Sequence, residues 1–200
     1  MNTKIASKKP KENYRIEPMR FNLVLMIIAS CMLFAAFVSA YIVHMPDAAA
    51  KNTWTEFDLP VQFMYSAIVA LISSVTIYLA YRSAKSDELM LNRVYLSATW
   101  LLGIVFCVLQ YMGWLNMISR GLMPVNADPE DISASYVYAI SLIHLLHVLG
   151  GIILLTVTLT KAFRYQVHKK ELTLMKVTHT YWHFLGLLWI YLYLFLYFAG

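Results

Sequence analysis

Five long apolar runs divide the chain, at residues 21–45, 59–81, 94–119, 132–160 and 177–200, and none of them contains a Lys, Arg, Asp or Glu. Each exceeds the roughly 20 residues that a helix needs to cross about 30 Å of hydrocarbon. A backbone in lipid must satisfy its own hydrogen bonds, and the runs lack the alternating periodicity of barrel strands, so helices are predicted. The pattern gives an all-α membrane protein, a bundle of five transmembrane helices. Residues 1–20 form a Lys-rich tail, short of apolar residues and expected to be disordered, and residues 21–200 form the transmembrane domain.

Charge between the runs sets an expected orientation. The tail holds six basic residues (Lys4, Lys8, Lys9, Lys11, Arg15, Arg20), the second loop three (Arg82, Lys85, Arg93) and the fourth five (Lys161, Arg164, Lys169, Lys170, Lys176). The first and third loops hold one each, Lys51 and Arg120, beside Asp47, Glu56 and Asp58 and beside Asp128, Glu130 and Asp131. Fourteen against two places the N-terminus in the cytoplasm and the C-terminus in the periplasm. The net charge of +5 therefore reports topology and attraction to anionic lipid, not nucleic-acid binding. The first run is too long for the core of a secretory signal. Cleavage after Val38-Ser39-Ala40 would also remove a span that the charge alternation requires, so the run is expected to stay.

Aromatic residues cluster where interfaces are expected: Trp54 in the first outer loop, Trp114, Tyr136 and Tyr138 toward the outer side, and Tyr181 with Trp182 toward the inner side. Pro60 opens the second span, where a missing N–H costs little. Cys31 and Cys107 lie within spans one and three and read as buried free thiols. Gly150, Gly151 and Gly186 leave room for close helix contact, and spans four and five are expected to pack through Gly151 and Gly186.

With no charged residue inside the membrane, any chemistry has to come from histidine. His144 and His147 share one face of span four, and His179 and His183 share one face of span five. A metal or haem site is the sharp reading, but depth opposes it. At about 1.5 Å per residue from the cytoplasmic ends, His144 and His147 lie about 24 and 20 Å in, whereas His183 and His179 lie about 9 and 3 Å in. Opposed haem ligands, or a metal held by bonds near 2 Å, require side chains on one level. The plain reading is two packing stripes with polar contacts. One runs through Ile140, His144, His147, Gly151, Leu154 and Thr158, the other through His179, His183, Gly186, Ile190, Tyr193 and Tyr197. A phosphate loop, nucleophile elbow, CxxC and HExxH are all missing from the sequence.

These residues resemble a known family. Tyr181-Trp182-His183-Phe184-Leu185 followed by Trp189 resembles the YWHF signature of subunit III of the haem-copper terminal oxidases, and His144-Leu-Leu-His147-Val-Leu-Gly150-Gly151 resembles the HxxHVxxG segment of the preceding helix. Further matches are Ser73-Ser74-Val75-Thr76, Leu102-Gly103 to Phe106 with Gln110, and Ala29-Ser30 to Phe34 with Ala40-Tyr41. The resemblance runs through all five spans in order and corresponds to the short five-helix bacterial form. It implies an accessory, non-redox subunit in the bacterial cytoplasmic (inner) membrane that stabilises the catalytic subunit of a cytochrome c or quinol oxidase in aerobic electron transport.

The resemblance further implies haem and copper in partner subunits, no cofactor in this chain, and bound phospholipid. Expected partners are oxidase subunits I and II, a small subunit IV, membrane lipids and a larger respiratory supercomplex. His144, His147, Gly151, His179, Trp182, His183, Gly186 and Cys31 are the candidate lipid or subunit contacts. Three departures remove carboxylates that the family keeps: Cys31 stands after Ala-Ser, Gly186 follows the YWHF segment, and Gly113 precedes Trp114. The alternatives are a b-type cytochrome or quinone-reactive anchor using the four histidines, a nitric-oxide reductase accessory subunit, and a small transporter. The last is disfavoured by the absence of intramembrane charge.

Overall fold

The computed structural model describes residues 18–51, 57–124, 133–164 and 172–199. They form five α-helices: α1 (Pro18–Ala50), α2 (Val61–Lys85), α3 (Leu89–Ser119), α4 (Ser133–Phe163) and α5 (Thr173–Ala199). All five are long and apolar enough to cross a membrane. Most extend past the apolar runs, because a helix continues into the headgroup region for as long as its backbone bonds are satisfied. α1 starts at Pro18, so residues 18–20 of the expected tail are helical, while residues 1–17, with most of the tail's lysines, lie outside the described residues. Trp54, Asp128, Glu130, Asp131, Lys169 and Lys170 also lie outside them.

Two sharp reversals are written in local chemistry. α2 ends in a double-bonded cap in which the Glu88 N–H donates to Ser83 O (3.0 Å) and the Asp87 N–H to Ala84 O (3.4 Å). Asp87 takes the left-handed conformation that this cap requires, at φ 64°, one of the few side chains that tolerate it. Leu122 and Gly121 close α3 in the same way onto Met117 and Ile118, with Gly121 at φ 83°. Pro60 caps α2 from outside, its carbonyl accepting the Phe63 N–H at 3.0 Å.

The packing follows a seven-residue repeat. α3 buries Asn92, Leu96, Thr99, Gly103, Phe106, Gln110, Gly113 and Met117, a strict alternation of four and three, and α2 and α4 bury stripes of the same period. Such a repeat favours long, nearly aligned helix contacts with a left-handed twist. α2, α3, α4 and α5 close a four-helix ring in which each touches its two neighbours, and α1 lies outside it against α4 and α5. Bulky apolar residues face outward, with Phe198 81% and Leu187 71% exposed, whereas α2 turns Ser66, Ala67, Ala70, Ser73, Ala80 and Ala84 inward. Small residues inside and large ones outside suit a lipid solvent, where close backbone approach replaces the hydrophobic effect as the source of cohesion.

Candidate functional site

The polar contacts between helices are built on one repeated device. Ser66, Ser73, Ser141 and Thr156 each donate their hydroxyl back to a carbonyl of their own helix, to Phe63, Ala70, Val137 and Ile152 at 2.6–2.9 Å. That leaves oxygen lone pairs free to accept from another helix. The Trp189 and Trp182 indole N–H groups of α5 donate to Ser66 (2.9 Å) and Ser73 (3.1 Å) of α2. Trp114 and Trp100 of α3 donate to Ser141 (2.9 Å) and Thr156 (3.0 Å) of α4. α2 and α3 are joined by Gln110 Nε2 to Ser66 Oγ (3.0 Å), Thr76 to Thr99 (2.8 Å) and Asn92 Nδ2 to Ala80 O (2.8 Å). α4 and α5 are joined by Thr158 to Thr178 (2.7 Å) and by the Tyr181 hydroxyl to His147 O (3.1 Å). Every group in these bonds is neutral, so none carries the cost of a charge in hydrocarbon.

The four candidate histidines divide into a buried one and three flanking ones. His144 is only 1% exposed; its ring stacks on Trp189 at 4.9 Å, and the rings of Phe34 and Phe106 meet it edge-on. Three aromatic rings thus enclose one imidazole. His147, one turn along, is half-buried; its Nδ1 donates to Ile143 O at 2.8 Å, which fixes the proton on that nitrogen. His179 and His183 are half-buried with Nε2 atoms 3.1 Å apart, and the His179 ring lies against Tyr81 at 4.8 Å. Among the described residues no three His, Cys, Asp or Glu side chains come together.

The expected stripe on α5 is displaced by one residue. The buried face runs through Thr178, Trp182, Leu185, Trp189, Leu192 and Leu196, and His179, His183 and Tyr193 sit on its shoulder. The indoles decide this: they carry the largest apolar surface and a donor that needs a buried acceptor. The stripe on α4 holds through Ile140, His144, Gly151 and Thr158, with His147 and Leu154 at its edge.

The two glycines expected between α4 and α5 divide. A Cβ on Gly151 would lie 2.8 Å from Leu185 Cδ1 and 3.3 Å from Trp182, so this position admits α5. A Cβ on Gly186 would meet Ser74 Oγ at 3.0 Å and Ala70 O at 3.7 Å, so this glycine admits α2 instead, following from the rotated stripe. Trp182, read as an interface aromatic, is buried within the bundle, and Trp114, Tyr138 and Tyr181 bond to neighbouring helices rather than forming only a belt. Cys31 is exposed on the outer surface of α1, not buried, and Cys107 is partly buried. The serine and threonine acceptors were the functional element that sequence reading missed; their signal was hydroxyls on the inward stripe facing tryptophans on another.

Fold and core define a class: a multi-pass helical membrane subunit whose described intramembrane polar groups are neutral and serve helix association. A family model for cytochrome c oxidase subunit III matches residues 10–200, and the chain belongs to that family. It is similar to subunit 3 of the cytochrome bo(3) ubiquinol oxidase of Buchnera aphidicola, at 22% identity over 95% of this chain and 98% of that protein. It is also similar to cytochrome c oxidase subunit 3 of Corynebacterium diphtheriae (25%, covering 84% and 81%) and to the bo(3) ubiquinol oxidase subunit 3 of Pseudomonas aeruginosa (26%, covering 90% and 84%). The five spanning helices and these bacterial relatives place it in a bacterial inner membrane.

Proposed function

We propose that this chain is the accessory, non-redox subunit of an aerobic haem-copper oxidase, and that it stabilises the catalytic subunit and binds phospholipid. The observation that carries the reading is the family match over residues 10–200. Its relatives are named for both cytochrome c and ubiquinol oxidases, so the electron donor is left to the other subunits. Haem and copper belong to partner subunits, I and II in this reading, with a small subunit IV and a larger supercomplex as further partners.

Lipid binding is supported by a groove of about 300 Å³ between the start of α1 and helices α4 and α5, lined by Met19, Leu23, Met26, Leu154 and Val177, with Asn22 and Tyr181 as its polar residues. Its largely apolar wall suits an acyl chain. His147, His179, His183 and Cys31, on the flanks of the bundle, are the side chains available for lipid or subunit contact. Orientation follows from the fourteen basic residues on one side against two on the other, with the N-terminus cytoplasmic and the C-terminus periplasmic.

One experiment tests the orientation and the assembly. A C-terminal tag should be reached from outside intact spheroplasts, and purification through it should bring down a haem-bearing large subunit. A chain that purifies alone with its own Soret band, or a tag reached only after lysis, would overturn the corresponding part.

A further inference from the structure

A cavity of about 20 Å³ lies where α2, α3, α4 and α5 meet, walled by Ala70, Ser73, Gly103, His144, Trp182 and Gly186 among others. We infer that it binds one water molecule, held by His144 and Ser73 in the middle of the membrane. His144 Nδ1 is buried and has no hydrogen-bond partner among the described residues. The ring cannot turn away to find one, since Trp189, Phe34 and Phe106 enclose it. An imidazole nitrogen left dry in hydrocarbon is costly, and no bulk water or headgroup reaches this depth.

The cavity's size and lining select the ligand. A single water needs about 10–15 Å³ of this kind of space, so the site has room for one. Ser73 Oγ donates to Ala70 O and accepts from Trp182 Nε1, which leaves it one lone pair for a further donor. Water can donate to Ser73 and either donate to or accept from His144, so it satisfies both imidazole tautomers. An ion finds no opposite charge in the lining, and an apolar molecule would leave Nδ1 unpaired. The glycines protect the space: a Cβ on Gly103 would press on Trp182 Cη2 at 2.9 Å and drive the indole inward. The site joins α2 to α4, two helices on opposite sides of the ring that make no packed interface of their own.

The test uses the full chain with ¹⁵N-labelled histidine in lipid nanodiscs, with His144→Phe to assign the signal. The expected spectrum has a His144 nitrogen in the hydrogen-bonded range with magnetisation transfer from water. A His144 signal without water transfer overturns the site. A second measurement does not depend on that assignment. Ala70→Val fills the cavity, and in a wet site it should lower Tm by about 2–4 °C more in the wild type than in a His144→Leu background. Equal shifts in the two backgrounds would mean that the cavity is dry, and would overturn the inference.

Discussion

Ser66→Ala should be among the most damaging conservative substitutions in the bundle, although it deletes a single oxygen atom. Ser66 is fully buried and accepts from two donors on two different helices, Trp189 Nε1 at 2.9 Å and Gln110 Nε2 at 3.0 Å. Removing the oxygen leaves no cavity of consequence, so the cost comes from stranding two N–H groups. In a water-soluble protein each stranded buried donor costs about 1–3 kcal/mol. Inside a bilayer the unfolded reference also finds partners, and measured interhelical bonds average about 0.6 with a maximum near 1.7 kcal/mol. The bilayer figure governs here, which gives about 1.2–3.4 kcal/mol for the two bonds. Ser141 is equally buried but accepts only from Trp114, so Ser141→Ala should cost about half as much. Adding Trp189→Phe to Ser66→Ala removes one of the stranded donors and should show a coupling of about 0.6–1.7 kcal/mol in a double-mutant cycle. Equilibrium unfolding of the full chain in mixed micelles, followed by circular dichroism, measures all four variants. If Ser66→Ala costs no more than Ser141→Ala, the indole-to-hydroxyl bonds do not hold the helices and the argument fails.

Gly151→Val should destabilise by about 1–3 kcal/mol by the same assay, because its first added carbon already meets Leu185 at 2.8 Å, whereas Gly150→Ala, with only the Tyr181 hydroxyl 3.8 Å away, should stay within about 0.5 kcal/mol. The opposite ranking would place the α4–α5 contact elsewhere. Cys31→Ala should leave both stability and the turnover of the surrounding oxidase unchanged, since the thiol is exposed on α1; a large loss of proton uptake in reconstituted vesicles would show that it had taken over a carboxylate's role.

The five helices were legible because lipid demands long uncharged runs, and their ends were not, because hydropathy reports the hydrocarbon slab while hydrogen bonding continues beyond it. Thus α1 carries on through Pro46 to Ala50, and α2 runs on past Tyr81 to Lys85. The face of α4 was legible from its own spacing. The face of α5 was not: histidine drew attention as the side chain that titrates nearest neutral pH, but tryptophan, larger and needing an acceptor, set the rotation and took Gly186 to α2 with it. His144 was picked out by the sequence, yet its enclosure by Trp189, Phe34 and Phe106 depends on three other helices. Contacts of that kind leave no local pattern to read.

The tryptophan bonds also answer a question that packing alone leaves open. A stripe of small residues repeating every seven positions fits its partner nearly as well after a slip of one repeat, about 10.5 Å along the axis. In lipid no hydrophobic gradient opposes such a slip. Trp182 and Trp189 are seven apart, and so are their acceptors Ser73 and Ser66, paired in antiparallel order. A slip of one repeat therefore leaves one indole without a hydroxyl, and Gln110 ties the same Ser66 to α3, which would have to move as well. On the other side of the ring Trp100 and Trp114 meet Thr156 and Ser141 at separations of fourteen and fifteen, so α3 and α4 are locked at two distant points. Four neutral bonds thus specify the register within the uncharged spans of the bundle.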